Sequence, residues 1–198
     1  MELTKKQVRS MLTKAKKARA CSNALTEIRH LLDEGGTEAV IASEECSYWV
    51  YWYAKCVIKG RWLEAEDVIL KNAFVAQHYA RDVIKGRWLE AEDLIRTDAW
   101  VTYMYACDVI EARWPEAEEV ILTKPTTAYW YARFVIKGRW PEAEAIILTS
   151  ATVAYWYAMN VIKARWPEAE DVIRKDAEVA CYYAEVFGVD WLEKGKTE

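Results

Sequence analysis

A chain of 198 residues is long enough to form a domain with a sizeable core. It carries only seven glycines and four prolines beside eleven tryptophans and twelve tyrosines, which favours helices over a turn-rich all-β fold. The formal net charge of −4 argues against a globally basic nucleic-acid-binding protein, although a local basic stripe is compatible with it.

The cysteines and the hydropathy pattern predict the compartment. Five cysteines, an odd number without a Cys-x-x-Cys pair, indicate reduced thiols and no zinc site. The charged start lacks the apolar core of a signal peptide, and no window of about 18 uncharged apolar residues predicts a membrane span. We therefore expect a cytoplasmic protein with no membrane association, no cofactor and no metal.

Residues 1–46 differ in character from the rest of the chain. Residues 1–19 are rich in lysine and arginine, with Glu2 as their single acidic residue, and a second helix is expected from Asn23 to Asp33, ended by Gly35-Gly36. We interpret this segment as an N-terminal helical cap with a basic first helix, because terminal repeats of a solenoid need a polar outer face. The alternative is a basic arm that contacts phosphate.

Internal repetition dominates residues 47–198. An Arg-Trp pair recurs every 26 residues, at Arg61-Trp62, Arg87-Trp88, Arg113-Trp114, Arg139-Trp140 and Arg165-Trp166. A decayed sixth copy follows, with Tyr183-Ala184, Phe187 and the run Asp190-Trp191-Leu192-Glu193. A fixed period of this length is typical of a solenoid.

Each repeat is predicted to contain two short helices, A and B. Asn72, Asp98, Ser150 and Asp176 are candidate N-caps of A helices. Helix A is expected to run to about Lys85 and to end at Gly86 or its equivalents, and Ala112 and Ala164 at two of these positions indicate that a left-handed residue is not obligatory there. The predicted fold class is all-α, an α-solenoid of tandem 26-residue helical hairpins with five repeats and the decayed sixth.

The phrase Tyr-Ala-x-x-Val-Ile-Lys-Gly-Arg-Trp-Pro-Glu-Ala-Glu, as in residues 131–144, resembles a short helical repeat in uncharacterised proteins of bacteriophages and bacteria. The resemblance covers residues 47–193. It implies a helical array and a viral origin, and it brings no catalytic residue and no shared activity. Glu111 and Ala112 replace the Lys-Gly of the phrase, so a uniform function along the array is not implied.

An aromatic and basic ridge is predicted on the A helices, opposite the repeated alanines. The column two residues before each alanine holds Trp52, His78, Met104, Trp130, Trp156 and Tyr182. Its helical neighbours include the basic residues Lys55, Arg81, Arg133, Lys137 and Lys163. The third repeat interrupts the pattern with Met104, Cys107 and Glu111. Exposed tryptophans favour a ligand surface, whereas lysine stems over rings packed between repeats are the alternative.

The candidate partner-binding residues are Trp52, His78, Arg81, Trp130, Arg133, Lys137, Trp156 and Lys163. We predict a non-enzymatic scaffold that presents this ridge to a protein partner, which for a phage protein would be a host protein. The alternative is nucleic-acid or nucleotide binding, because rings beside cationic groups suit stacked bases and phosphates.

The repeated Arg and Glu-x-Glu groups are interpreted as structural ion pairs, with Arg87 pairing with Glu90 or with a glutamate of an adjacent repeat. Identical copies in every repeat are what structural pairing predicts, and arginine is a poor proton donor and acceptor. The sequence contains no phosphate-binding glycine motif, no His-Glu-x-x-His and no Gly-x-Ser-x-Gly. We therefore predict no catalytic residue.

Overall fold

The computed structural model describes residues 5–17, 22, 25–26, 29–30, 33–34 and 44–191, and within them it is helical, without strands. The N-terminal helix is α1 (Lys5–Lys17). The A helices are α2 (Glu44–Tyr53), α4 (Ala73–Tyr79), α6 (Ala99–Tyr105), α8 (Pro125–Tyr131), α10 (Ala151–Tyr157) and α12 (Ala177–Phe187). The B helices are α3 (Glu66–Ile69), α5 (Leu89–Ile95), α7 (Glu118–Ile121), α9 (Pro141–Ile147) and α11 (Glu170–Ile173).

The chain divides into two compact units, Met1–Val101 and Thr102–Glu198. In the first unit, α2 packs against α3 and against the next A helix, α4, which in turn packs against α5. In the second unit, α10 contacts the A helices on both sides, α8 and α12, and its own B helix, α11. Inside each unit, consecutive hairpins therefore stack through their A helices.

The starts of the A helices match the predicted caps. The side chain of Asn72 accepts a hydrogen bond from the backbone N–H of Val75, and Ser150 and Asp176 accept the equivalent bonds at α10 and α12. Asp98 does the same for α6. A side-chain oxygen at this position satisfies one of the donors that the first helical turn leaves without a partner. The predicted N-caps are confirmed.

The ends of the A helices differ from the sequence prediction. Each of the first five A helices is followed directly by a five-residue π-helical turn, such as Ala80–Ile84 after α4. The following residue is left-handed in every case, and it is never glycine: Lys59, Lys85, Glu111, Lys137 and Lys163 have φ between 56° and 60°. The backbone N–H of Lys85 bonds to the carbonyl of Ala80 at 2.7 Å, which fixes the turn. The prediction that Gly86 ends the helix was therefore wrong, because the left-handed residue is Lys85. The prediction that position 86 does not require a left-handed residue is confirmed, since Gly86 does not have positive φ.

The position of the left-handed residue leads to a stability prediction. We expect Lys85→Gly to raise the free energy of unfolding by about 0.5–1 kcal/mol, because glycine adopts positive φ without a Cβ clash. Gly86→Ala is expected to be neutral or mildly stabilising, since a Cβ there meets no atom within 4 Å and Gly86 does not have positive φ. Urea denaturation of both variants checks this. A loss at Gly86→Ala with no gain at Lys85→Gly would contradict it.

The core is formed by one face of each A helix and of each B helix. Ala76, Tyr79 and Ala80 on α4 are fully buried, as are Ala91 and Ile95 on α5. The same columns are buried in the other repeats, and the small alanines let the A helices approach closely while aromatic rings fill the remaining volume.

The N-terminal segment is described in part. Met11, Leu12 and Ala15 of α1 are buried, and Arg9 pairs with Asp33 at 3.6 Å on the surface. The start of the predicted second helix at Asn23 and its end at Gly35-Gly36 lie outside the described residues, as do Leu192 and Glu193 of the sixth copy.

Candidate binding surface

The Arg-Trp motif is part of a structural network. In each repeat the arginine makes a bidentate pair with the second glutamate of the Glu-x-Glu group, as between Arg113 and Glu118, with N–O distances of 2.6 and 2.9 Å. The pair formed by Arg87 reaches Glu92, at 2.8 Å for both bonds, and not Glu90. Structural pairing was thus predicted correctly, but with the wrong glutamate.

A tyrosine connects this pair to the next repeat. The hydroxyl of Tyr131 accepts the backbone N–H of Trp114 at 2.6 Å and donates to Glu118 at 3.2 Å, while its ring packs on Trp140 of its own repeat. Tyr79 bonds Trp62 and Glu66 in the same way. The glutamate, the tyrosine and the backbone of two repeats are therefore held together, and we interpret the Arg-Trp motif as a structural one.

The buried hydroxyls predict a loss of stability at alkaline pH. Burial raises the pKa of Tyr79 and of Tyr131 to about 12, from an ordinary value of 10.0. Their neutral forms therefore stabilise the fold fully below pH 10, and this contribution is lost as the pH rises from about 10 to about 12. We expect the melting temperature to fall across this interval, and the fall to be smaller in Tyr131→Phe. Tyrosine absorbance at 295 nm that titrates entirely near pH 10 in the folded protein would contradict the assignment.

In the first unit, Asp82 offsets part of the positive charge of the predicted ridge. Its carboxylate accepts hydrogen bonds from Lys55 at 2.7 Å, from Arg81 at 2.8 and 3.1 Å, and from the hydroxyl of Tyr51. The hydrogen bonds from Arg81, followed by those from Lys55 and Tyr51, hold the pKa of Asp82 well below its usual range, against the opposing effect of burial. Lys55 and Arg81 consequently offer less positive charge than the sequence suggested.

His78 and Trp52 occupy half-buried positions in the same unit. The His78 ring lies 4.3 Å from the Phe74 ring and 6.1 Å from Tyr51, and its Nδ1 donates to the carbonyl of Phe74 at 2.9 Å. These contacts fix the imidazole on its own helix. Since Trp52 belongs to α2 and His78 to α4, the two residues lie at equivalent positions of consecutive A helices.

The second unit carries a group of four neighbouring rings that we call the aromatic cluster: Tyr129, Trp130, Phe134 and Trp156. Trp130 stacks on Phe134 with centroids 5.4 Å apart and an angle of 15°, and Tyr129 lies 5.0 Å from Trp130 and 5.9 Å from Trp156. The contact between Tyr129 and Trp156 joins two repeats. Phe134 remains 41% exposed, so the cluster combines packing between repeats with an open face.

The side chain of Arg133 lies against the aromatic cluster. Its guanidinium carbon lies 5.0 Å from the centre of the Phe134 ring and 5.7 Å from that of Trp130, and Nη1 donates to the hydroxyl of Tyr129 at 2.6 Å. Within the part of the chain that the structure describes, Arg133 pairs with no carboxylate. The position equivalent to Asp82 is Phe134, so the charge that is neutralised in the first unit stays available here.

Lys137 and Lys163 are exposed and are the left-handed residues that end their A helices. Their side chains form no hydrogen bond or ion pair with the described residues. The structure thus brings Trp130, Arg133 and Trp156 together and leaves these two lysines outside the aromatic cluster.

Next to Trp156 lies an open groove of about 450 Å³ between α10 and α12. Aromatic rings line it from Tyr155, Trp156 and Tyr182, and carboxylates from Asp176 and Glu178. Asp176, Glu178 and Phe134 were not predicted as site residues, because the ridge was interpreted as basic. Alignment of the repeats places Phe134 at the position of Asp82 and could have identified it.

The described residues contain no group of three or more His, Cys, Asp or Glu side chains arranged to hold a metal ion. Cys46, Cys56, Cys107 and Cys181 are free thiols. A search of the helices in the described ranges finds none long and apolar enough to cross a membrane.

Comparisons with protein-family models, with curated proteins and with solved structures give no match for this chain.

Proposed function

We propose that this protein is a non-catalytic interaction scaffold, an α-solenoid of helical hairpins that binds a protein partner through the aromatic cluster of its second unit. The observation that carries the proposal is the open face of this cluster, where Phe134 is exposed and Arg133 lies over the rings without a carboxylate partner among the described residues. Tryptophan, tyrosine and arginine are the residues that contribute most to protein interfaces.

The other conspicuous residues support a non-catalytic role. The five repeated arginines form bidentate pairs with glutamates inside their own repeats, and Asp82 holds Lys55 and Arg81. Both groups are therefore used for packing and charge balance. The resemblance of the repeats to phage sequences makes a host protein in the bacterial cytoplasm the proposed partner.

Nucleic-acid or nucleotide binding is the second candidate, and Arg133 stacked on aromatic rings favours it. The two carboxylates beside Trp156 argue against it, since a phosphate backbone would meet negative charge there. In the first unit, Asp82 also offsets part of the positive charge of Lys55 and Arg81. We therefore rank the protein partner first.

Peptide-display selection on the purified protein tests the proposal. We expect enriched peptides whose binding is lost in Trp130→Ala/Phe134→Ala and retained in Leu89→Ala. Leu89 is a suitable control because it is 69% exposed and lies on α5, outside the cluster. Binding of a fluorescent 20-nucleotide single strand that exceeds peptide binding and falls steeply with salt would support the second candidate instead. Peptides that bind both variants equally would contradict the protein-binding surface.

A further inference from the structure

We infer that the groove between α10 and α12 binds a basic side chain, lysine or arginine, of a peptide segment in the protein partner. This inference rests on the proposed function and specifies the chemistry of the partner. The groove adjoins the aromatic cluster through Trp156, so one extended peptide can occupy both.

The groove has room for a long cationic side chain, and its walls suit the chemistry of such a group. About 450 Å³ lies within the range of sites that take small ligands. Tyr155, Trp156 and Tyr182 line it, and Tyr182 is 50% exposed. The negative faces of aromatic rings attract ammonium and guanidinium groups, and the apolar stem of such a side chain packs on the same rings.

Two carboxylates give the groove its negative charge. Oδ1 of Asp176 accepts the backbone N–H groups of Glu178 and Val179, which fixes this side chain at the start of α12. Glu178 accepts from the hydroxyl of Tyr182 at 3.5 Å, which places its carboxylate beside the ring. Both acids are exposed at the groove and are therefore accessible to a ligand.

The described residues that line the groove include two carboxylates and no basic side chain. The N-terminus of α12 contributes the equivalent of about +0.5 charge, against two full negative charges. Arg174 and Lys175 precede α12 but do not line the groove, and Arg174 lies over the ring of Trp191 at 4.6 Å. The groove therefore favours a cationic ligand over an anionic one. The basic ridge predicted from the sequence would instead favour an anion.

Titration of the protein with short capped peptides, followed by the indole N–H resonance of Trp156, tests the inference. The probes are acetyl-Gly-Arg-Gly-amide, the uncharged citrulline analogue of the same shape, and acetyl-Gly-Glu-Gly-amide. We expect the arginine peptide to shift the Trp156 signal and to bind about tenfold more tightly than the citrulline peptide, with no binding of the glutamate peptide. Equal affinity for the arginine and citrulline peptides would overturn the inference.

The matched variant is Asp176→Asn/Glu178→Gln, which removes both charges and keeps the helix cap, since asparagine caps as well as aspartate. We expect an unchanged thermal melt and about tenfold weaker binding of the arginine peptide. Unchanged binding would refute the role of the carboxylates. The double variant Trp130→Ala/Phe134→Ala distinguishes the failure of the two proposals. If the aromatic cluster does not bind a partner, this variant binds both the selected peptides and the arginine peptide as wild type does. If only the groove inference is wrong, the variant still loses binding of the selected peptides.

Discussion

Trp140→Ala is expected to lower the free energy of unfolding by about 3–5 kcal/mol, which is a large part of the stability of an ordinary domain. The Trp140 ring is only 1% exposed and packs on Tyr131 at 5.1 Å, so its removal leaves a cavity that the short helices around it cannot fill. Its backbone N–H bonds to the hydroxyl of Tyr157 in the next repeat at 2.6 Å, and a collapse at Trp140 therefore also disturbs this contact. Urea denaturation measures the loss.

Trp130→Ala is the matched control for this substitution. Trp130 is the same residue type in the same repeat, but it is half-buried on the surface that carries Phe134. We expect less than half of the loss seen at Trp140, because part of its ring already contacts water. Equal losses at the two positions would mean that Trp130 is a core residue and would remove it from the binding surface.

Tyr131→Phe is expected to cost about 1–3 kcal/mol, although it removes a single oxygen atom. The hydroxyl accepts the buried backbone N–H of Trp114 and donates to Glu118, and phenylalanine leaves the N–H without this partner in the interior. The cost is therefore that of a buried polar group left unsatisfied, which exceeds the net value of an average hydrogen bond.

Tyr48→Phe provides the control for the hydroxyl. Tyr48 is exposed on α2, and its substitution is expected to change stability by less than about 0.5 kcal/mol. Thermal and urea unfolding of both variants give the comparison. A Tyr131→Phe protein as stable as the Tyr48→Phe protein would show that the contact between repeats contributes nothing.

Local features of the fold could be predicted from the sequence because they depend on neighbouring residues. The caps Asn72 and Ser150 act on N–H groups three residues away, and the burial of Ala76, Tyr79 and Ala80 follows from helical periodicity. The repeats support the predicted caps and the predicted buried faces, since the same residue types recur at equivalent helix positions.

The remaining features depend on geometry that residue type alone does not determine. A left-handed lysine at position 85, followed by a glycine without positive φ, reverses the usual preference, and this lysine directly follows a π-helical turn that the sequence did not predict. The hydrogen bond from Trp114 to Tyr131 spans 17 residues and depends on how two hairpins pack. In the candidate site, the neutralisation of Arg81 depends on the side-chain conformation of Asp82, so the charge of the ridge could not be predicted by counting basic residues.

The most direct test of the binding surface is calorimetric titration of one display-selected peptide into wild-type protein, Phe134→Ala and Leu89→Ala at 50 and 200 mM salt. We predict that Phe134→Ala weakens binding about thirtyfold or more, that Leu89→Ala stays within about twofold of wild type, and that salt changes the affinity by less than about tenfold. Equal affinity of Phe134→Ala and wild type would contradict the account. A loss of about a thousandfold between the two salt concentrations would also contradict it, because that is the behaviour of a protein that binds a phosphate backbone.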